Sequence, residues 1–165
     1  MSGNLRDGGC GIMDLSEIGF SGLKPSVDFA FLADAVQVVG GKLFALGGGW
    51  DQLLVGTLPT RHSSMGIGMR VTFPWGWDKS PVKVGVDLQD QDGRSVLGQR
   101  MLQRRIPVKQ PSRLPPGSVF GYPIAFTFNS LPFQSEGDYS FVIHLDEEPV
   151  HRLRFTVRRR RRPGT

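Results

Sequence analysis

The chain has 165 residues, about one domain's worth, with 39% hydrophobic and 21% charged residues and a net charge of +5. Its 22 glycines and 12 prolines, roughly one residue in five, weigh against a helical bundle and favour short strands joined by tight turns. No apolar run reaches the roughly 18 residues of a membrane-spanning helix, and the single cysteine excludes an internal disulfide framework and a multi-cysteine zinc site.

Residues 1–26 are rich in glycine and polar side chains (GNLRDGGCGIMD) and read as a flexible segment. They lack the apolar core of a signal peptide, and no apolar run precedes Cys10. Met13 is an alternative start. With no export signal, the cytoplasm is the expected compartment.

The folded part is expected over residues 27–157. Residues 27–39 (VDFAFLADAVQVV) read as a strand, with Asp34 marking a bulge or kink. Gly40-Gly41 suits a hairpin turn, and residues 42–47 form its second strand. The intervals 51–65 and 100–121 read as long loops; the second holds four prolines. Between them, Ile67, Met69, Val71 and Phe73 alternate with polar residues, as do Val82, Val84, Val86 and Leu88. Asp92-Gly93 predicts a two-residue hairpin turn that sets Leu88 opposite Leu97 and Val86 opposite Gln99. Alternation returns at Tyr122, Ile124, Phe126 and Phe128, at Tyr139, Phe141, Ile143 and Leu145, and at Leu153, Phe155 and Val157. The fold class is therefore all-β. The expected form is an antiparallel sandwich of seven or eight strands, immunoglobulin-like or C2-like, with a small barrel as the alternative.

The string FAFLADAVQVVGGKLFALGGGWD at residues 29–51 resembles the opening of a bacterial family of small domains with no assigned function. That family shares F-x-x-L-A-D-A, then G-K-L, then G-G-G-W-D. The matching positions are Phe29, Leu32–Ala35, Gly41–Leu43 and Gly47–Asp51. Phe73-Pro74-Trp75 and the stretch Gly137, Asp138, Tyr139 and Phe141 extend the likeness over residues 27–157. The resemblance implies a β-rich domain and carries over no catalytic or binding residue.

Several local patterns invite a function. Gly47-Gly48-Gly49-Trp50-Asp51 lacks the lysine and hydroxyl residue of a phosphate cradle and the spacing of a dinucleotide fingerprint. Asp90-Gln91-Asp92-Gly93 would put Leu88 and Gln99 at the two end-ligand positions of a calcium loop, so it reads as a turn. His144 and His151 would face each other across a two-residue turn, but that register mixes core and solvent positions. A three-residue loop at 147–149 instead pairs Phe141 with Phe155 and Ile143 with Leu153. No metal site or cofactor is expected. His62 has no catalytic neighbour in sequence, and no nucleophilic triad or paired-carboxylate motif is present.

One function leads and two alternatives stay open. The first is a non-catalytic module that binds a protein partner or itself, through Trp75 and Trp77, Trp50 and Asp51, or a free sheet edge. The second is a weak, salt-sensitive binder of nucleic acid or another polyanion. Its basic residues are Arg100, Arg104, Arg105, Lys109 and Arg113, in a stretch from Gly93 to Ser135 without acid, and the run Arg158, Arg159, Arg160, Arg161 and Arg162. Without those five arginines the chain has fifteen basic and fifteen acidic residues, so the excess charge sits in a tail, 158–165, expected to be disordered. The third is a small-molecule binder or enzyme with a pocket near Asp34, Trp50 and Asp51.

Overall fold

A computed structural model describes residues 24–98 and 101–161. The predicted flexible segment over 1–26 lies outside them except for its last three residues, and so do Arg100 and Arg162.

The described residues are all-β. The strands are β1 (Ser26–Ala33), β2 (Ala35–Val39), β3 (Lys42–Leu46), β4 (Gln52–Val55), β5 (Thr60–Pro74), β6 (Val82–Gln89), β7 (Leu102–Ile106), β8 (Val119–Phe133), β9 (Gly137–Leu145) and β10 (Glu148–Arg159). They form a three-stranded sheet β1-β5-β8, a five-stranded sheet β4-β10-β9-β6-β7, and the hairpin β2-β3. The two larger sheets share one apolar core. Alternation supplies it: Met65, Ile67, Met69, Val71 and Phe73 point inward from β5, and Val82, Val84, Val86 and Leu88 from β6. Phe128 of β8 meets Phe141 of β9 at 5.0 Å between ring centroids, tying sheet to sheet.

Ten strands in three sheets exceed the expected seven or eight, and β4 pairs parallel to β10. Four local expectations are corrected. Residues 27–39 are two strands, because Asp34 breaks the run and its N–H donates to the carbonyls of Leu46 and Gly47. Residues before it pair with β5, and those after it pair with β3. The interval 51–65 contains β4 and the start of β5, and 100–121 contains β7.

At the third, Asp90 Oδ1 accepts the amides of Asp92 and Arg94, and Ser95 Oγ donates to Asp87 Oδ1 at 2.6 Å. This shapes a turn over residues 90–94 closed by one bridge, Gln89 to Ser95; pairing with β6 resumes at Leu102 opposite Val86. Leu88 therefore does not pair with Leu97. At the fourth, the closing hairpin turns on Asp146-Glu147, both at positive φ (47° and 76°), a two-residue turn of the twist that flanking strands prefer. Lys83 N–H donates to Asp146 Oδ1 at 2.8 Å and fixes it. A bulge follows before His151, so Phe141 pairs with Leu153 and Phe155 with Tyr139. The inward phase is kept while the register moves by two.

The hairpin β2-β3 lies on the outer face of the three-stranded sheet. Glycines make the room: a Cβ on Gly66 or Gly68 of β5 would meet the side chain of Val36. Strand β10 runs through Arg158 and Arg159, the first two residues of the arginine run, opposite Leu54 and Val55. Among the described residues no helix is long and apolar enough to cross a membrane.

Candidate functional site

The outer face of the five-stranded sheet carries the polar half of each strand's alternation. Asp138 and Ser140 point outward from β9, and Arg152, Arg154 and Thr156 from β10. Register sets Arg154 opposite Ser140, which is itself opposite Gln89 of β6. The turn after β6 lies on one side and Asp51 on the other, so these residues line a shallow, open groove. A second groove adjoins it across Asp90, Gln91 and Asp138 and is bounded by Glu136.

Hydrogen bonds hold the groove's floor. Arg152 Nη1 donates to Ser140 Oγ at 2.6 Å and to Gln89 Oε1 at 3.1 Å. Gln89 Nε2 donates to Asp87 Oδ2 at 3.3 Å, and Asp87 also accepts from Ser95. Asp87 and Ser140 are the buried polar residues among those described, at 8% and 7% exposure, and both have partners, as buried polar groups require. Thr156 Oγ1 donates to Asp138 Oδ1 at 2.8 Å, and the Thr156 N–H donates to the Asp51 carbonyl at 2.8 Å. That last bond seats the Gly47–Asp51 loop against β10.

Beside the groove, Arg159 Nε donates to Glu136 Oε1 at 2.7 Å. This bond, then a backbone hydrogen bond from residue 159 and the positive charges of Arg159 and Arg158, lowers the Glu136 pKa below the ordinary glutamate range. Its stabilising contribution is complete above the ordinary range and is lost as pH falls through the lowered value. Arg159→Gln should raise the Glu136 titration toward the ordinary range in a carboxyl-detected NMR pH series, the backbone bond and Arg158 remaining. An unchanged midpoint would show that Arg159 does not hold the carboxylate.

The sequence candidates are dispersed. Trp75 stands 45% exposed after β5, whereas Trp77 folds back onto Phe73, with ring centroids 5.8 Å apart. Trp50 packs edge-on against Phe155 at 6.2 Å. The three tryptophans thus present one exposed ring rather than a shared aromatic surface. Asp51 lines the groove; Asp34 sits at the base of the β2-β3 hairpin beside Gly47.

Arg104 and Arg105 are exposed on edge strand β7, and Lys109 and Arg113 on the segment after it. Arg158–Arg161 lie at the far end of β10, roughly 30 Å away along the strands and 14 Å across them. The two basic groups occupy opposite corners of the sheet and do not form one face.

His62 lies in β5 opposite Leu131, not in a loop. His144 pairs with Pro149 and His151 with Ile143, in place of the Arg152 and Leu145 expected from the longer loop. No group of three or more His, Cys, Asp or Glu among the described residues is placed to hold a metal ion.

Sequence reading missed Gln89, Ser140, Arg152 and Arg154. Their only signal is that they hold the polar positions alternating with Leu88, Tyr139, Phe141, Leu153 and Phe155, a pattern any solvent-facing strand side shares.

A family model described as a family of unknown function, DUF6941, matches residues 28–158. Comparison with curated proteins gives no match. Among solved structures the chain is similar to one titled the C-terminal domain of Wzt, at 18% identity and a TM-score of 0.45, covering 81% of this chain and 73% of that one.

Proposed function

We propose, for a chain that belongs to the family of unknown function DUF6941, that it is a binding module holding a small polar molecule in the groove over β9 and β10. The observation that carries this reading is that Asp51, Gln89, Asp138, Ser140, Arg152 and Arg154 line one shallow groove. Its floor is cross-linked by Arg152, so donors and acceptors are set before a ligand arrives.

Charge supports a small ligand over a polyanion. Asp51, Asp90 and Asp138 line the groove with Arg152 and Arg154, a near balance that offers no net attraction to nucleic acid. The separated basic corners also remove the continuous stripe that a polyanion would follow. The single exposed tryptophan, Trp75, gives a protein partner less to grip than a cluster of aromatic anchors would.

Proton–nitrogen correlation spectra of the full chain, titrated with a library of small polar molecules, test the reading. Hits should move the amides of residues 89–91, 138–140 and 152–156 together, and Arg152→Ala should abolish the response. Hits that map only elsewhere, or none, would overturn it.

A further inference from the structure

The groups that line the groove divide by whether their bonds are already used. Asp90 Oδ1 is taken by the amides of Asp92 and Arg94, Asp138 Oδ1 by Thr156, and Ser140 Oγ and Gln89 Oε1 by Arg152. These groups build the floor and walls. Two charged side chains that line the same groove, Asp51 and Arg154, make no side-chain hydrogen bond and no ion pair with any described residue.

They are near neighbours. The Thr156 N–H bond to the Asp51 carbonyl fixes Asp51 beside β10. Arg154 is two residues earlier on the same face, about 7 Å along the strand. Asp51 and Arg154 therefore border one groove without pairing with each other.

We infer that the groove takes a zwitterion, a free α-amino acid, with its carboxylate on Arg154 and its ammonium on Asp51; this rests on the groove being the ligand site. A carboxylate matches the fork of a guanidinium in two parallel hydrogen bonds. An ammonium supplies donors to a carboxylate that has none of its own. A simple anion would satisfy Arg154 and be repelled by Asp51. A neutral polyol would cover both charges without countering either, which costs desolvation with no compensating charge. The dipolar ligand answers both charges and leaves the groove's net charge unchanged.

The test uses the full chain at constant ionic strength. Correlation spectra are recorded against pools of the L-α-amino acids, and separately against acetate, methylammonium and glycerol. At least one amino-acid pool should saturate shifts at residues 138–140 and 152–156. Acetate and methylammonium should bind about tenfold more weakly or worse, and Arg154→Gln and Asp51→Asn should each cost a similar factor, the worth of a charged hydrogen bond. Both positions are exposed, so the variants keep the fold, which their unshifted remaining resonances would verify. If acetate binds as well as the amino acids, or if Arg154→Gln leaves binding unchanged, the zwitterion is wrong. If glycerol alone moves the groove amides, the groove reading stands and the zwitterion falls. If no probe moves them, the zwitterion falls, and the response to the wider library of small polar molecules decides the groove reading separately.

Discussion

Phe141→Ala should lower the unfolding free energy by about 3–5 kcal/mol, the cost of emptying an aromatic site in a core that cannot collapse around it. Phe141 is fully buried on β9, stacks on Phe155 of β10 at 5.6 Å, and meets Phe128 of β8 at 5.0 Å. Phe128 belongs to the three-stranded sheet, so the ring at 141 is one of the contacts that joins the two sheets. The cluster continues through Phe155 to Tyr139 and Phe133, at 5.9 and 6.0 Å. Removing its centre strips partners from rings in both sheets at once. Against a total stability of about 5–15 kcal/mol, such a loss moves the denaturant midpoint far to the left. Val39→Ala, at a position 54% exposed, should stay within about 0.5 kcal/mol. Equilibrium urea unfolding of the pair decides it: similar midpoints for the two variants would mean that the 141 site is not the junction of the sheets.

What the sequence made legible was what each strand says about itself. Ile67 to Phe73 and Val82 to Leu88 announce their inward faces by alternation, and Gly40-Gly41 announces its turn, with φ of 56° and 74°. What stayed hidden was which strand pairs with which. Strand β1 pairs with β5 after an intervening hairpin, and β4 finds a parallel partner in β10 about a hundred residues on. Nothing local encodes such pairings. The turn at Asp146-Glu147 was hidden for another reason. Non-glycine residues at positive φ are uncommon, and here the bond from Lys83 on β6 holds the conformation.

The groove illustrates the same limit for function. Its residues come from the loop before β4, the turn after β6, and the outward positions of β9 and β10. Asp51 stands out only through its loop, where it follows three glycines and Trp50. Arg152 and Arg154 looked like ordinary solvent-facing residues of an alternating strand. Only the sheet order, which sets β6 beside β9 and β9 beside β10, brings Gln89, Ser140 and Arg152 into one hydrogen-bonded group.

Gly66→Val should cost about 3 kcal/mol, the upper end for forcing extra carbons into a filled space. A Cβ at Gly66 would lie 2.5 Å from Val36 Cγ1, 3.1 Å from its Cβ and 3.2 Å from its backbone nitrogen. The obstacle is thus a branched side chain and the strand that carries it, neither of which can swing aside. Gly66 has no positive φ, so backbone strain adds nothing. Valine in a strand should by itself help, since it limits the unfolded chain and suits the pleat. The sign of the result therefore isolates the overlap. The damage should also be local. The β2-β3 hairpin would lift from the three-stranded sheet, and amides over residues 35–46 would lose hydrogen-exchange protection before the rest of the domain. Exchanging the two side chains, Gly66→Val with Val36→Gly, restores the volume between the layers. It should recover at least half of the loss, a favourable coupling between contacting residues. A double variant no more stable than Gly66→Val alone would mean that Val36 does not occupy the space above Gly66 and that the hairpin is held to the sheet by other contacts.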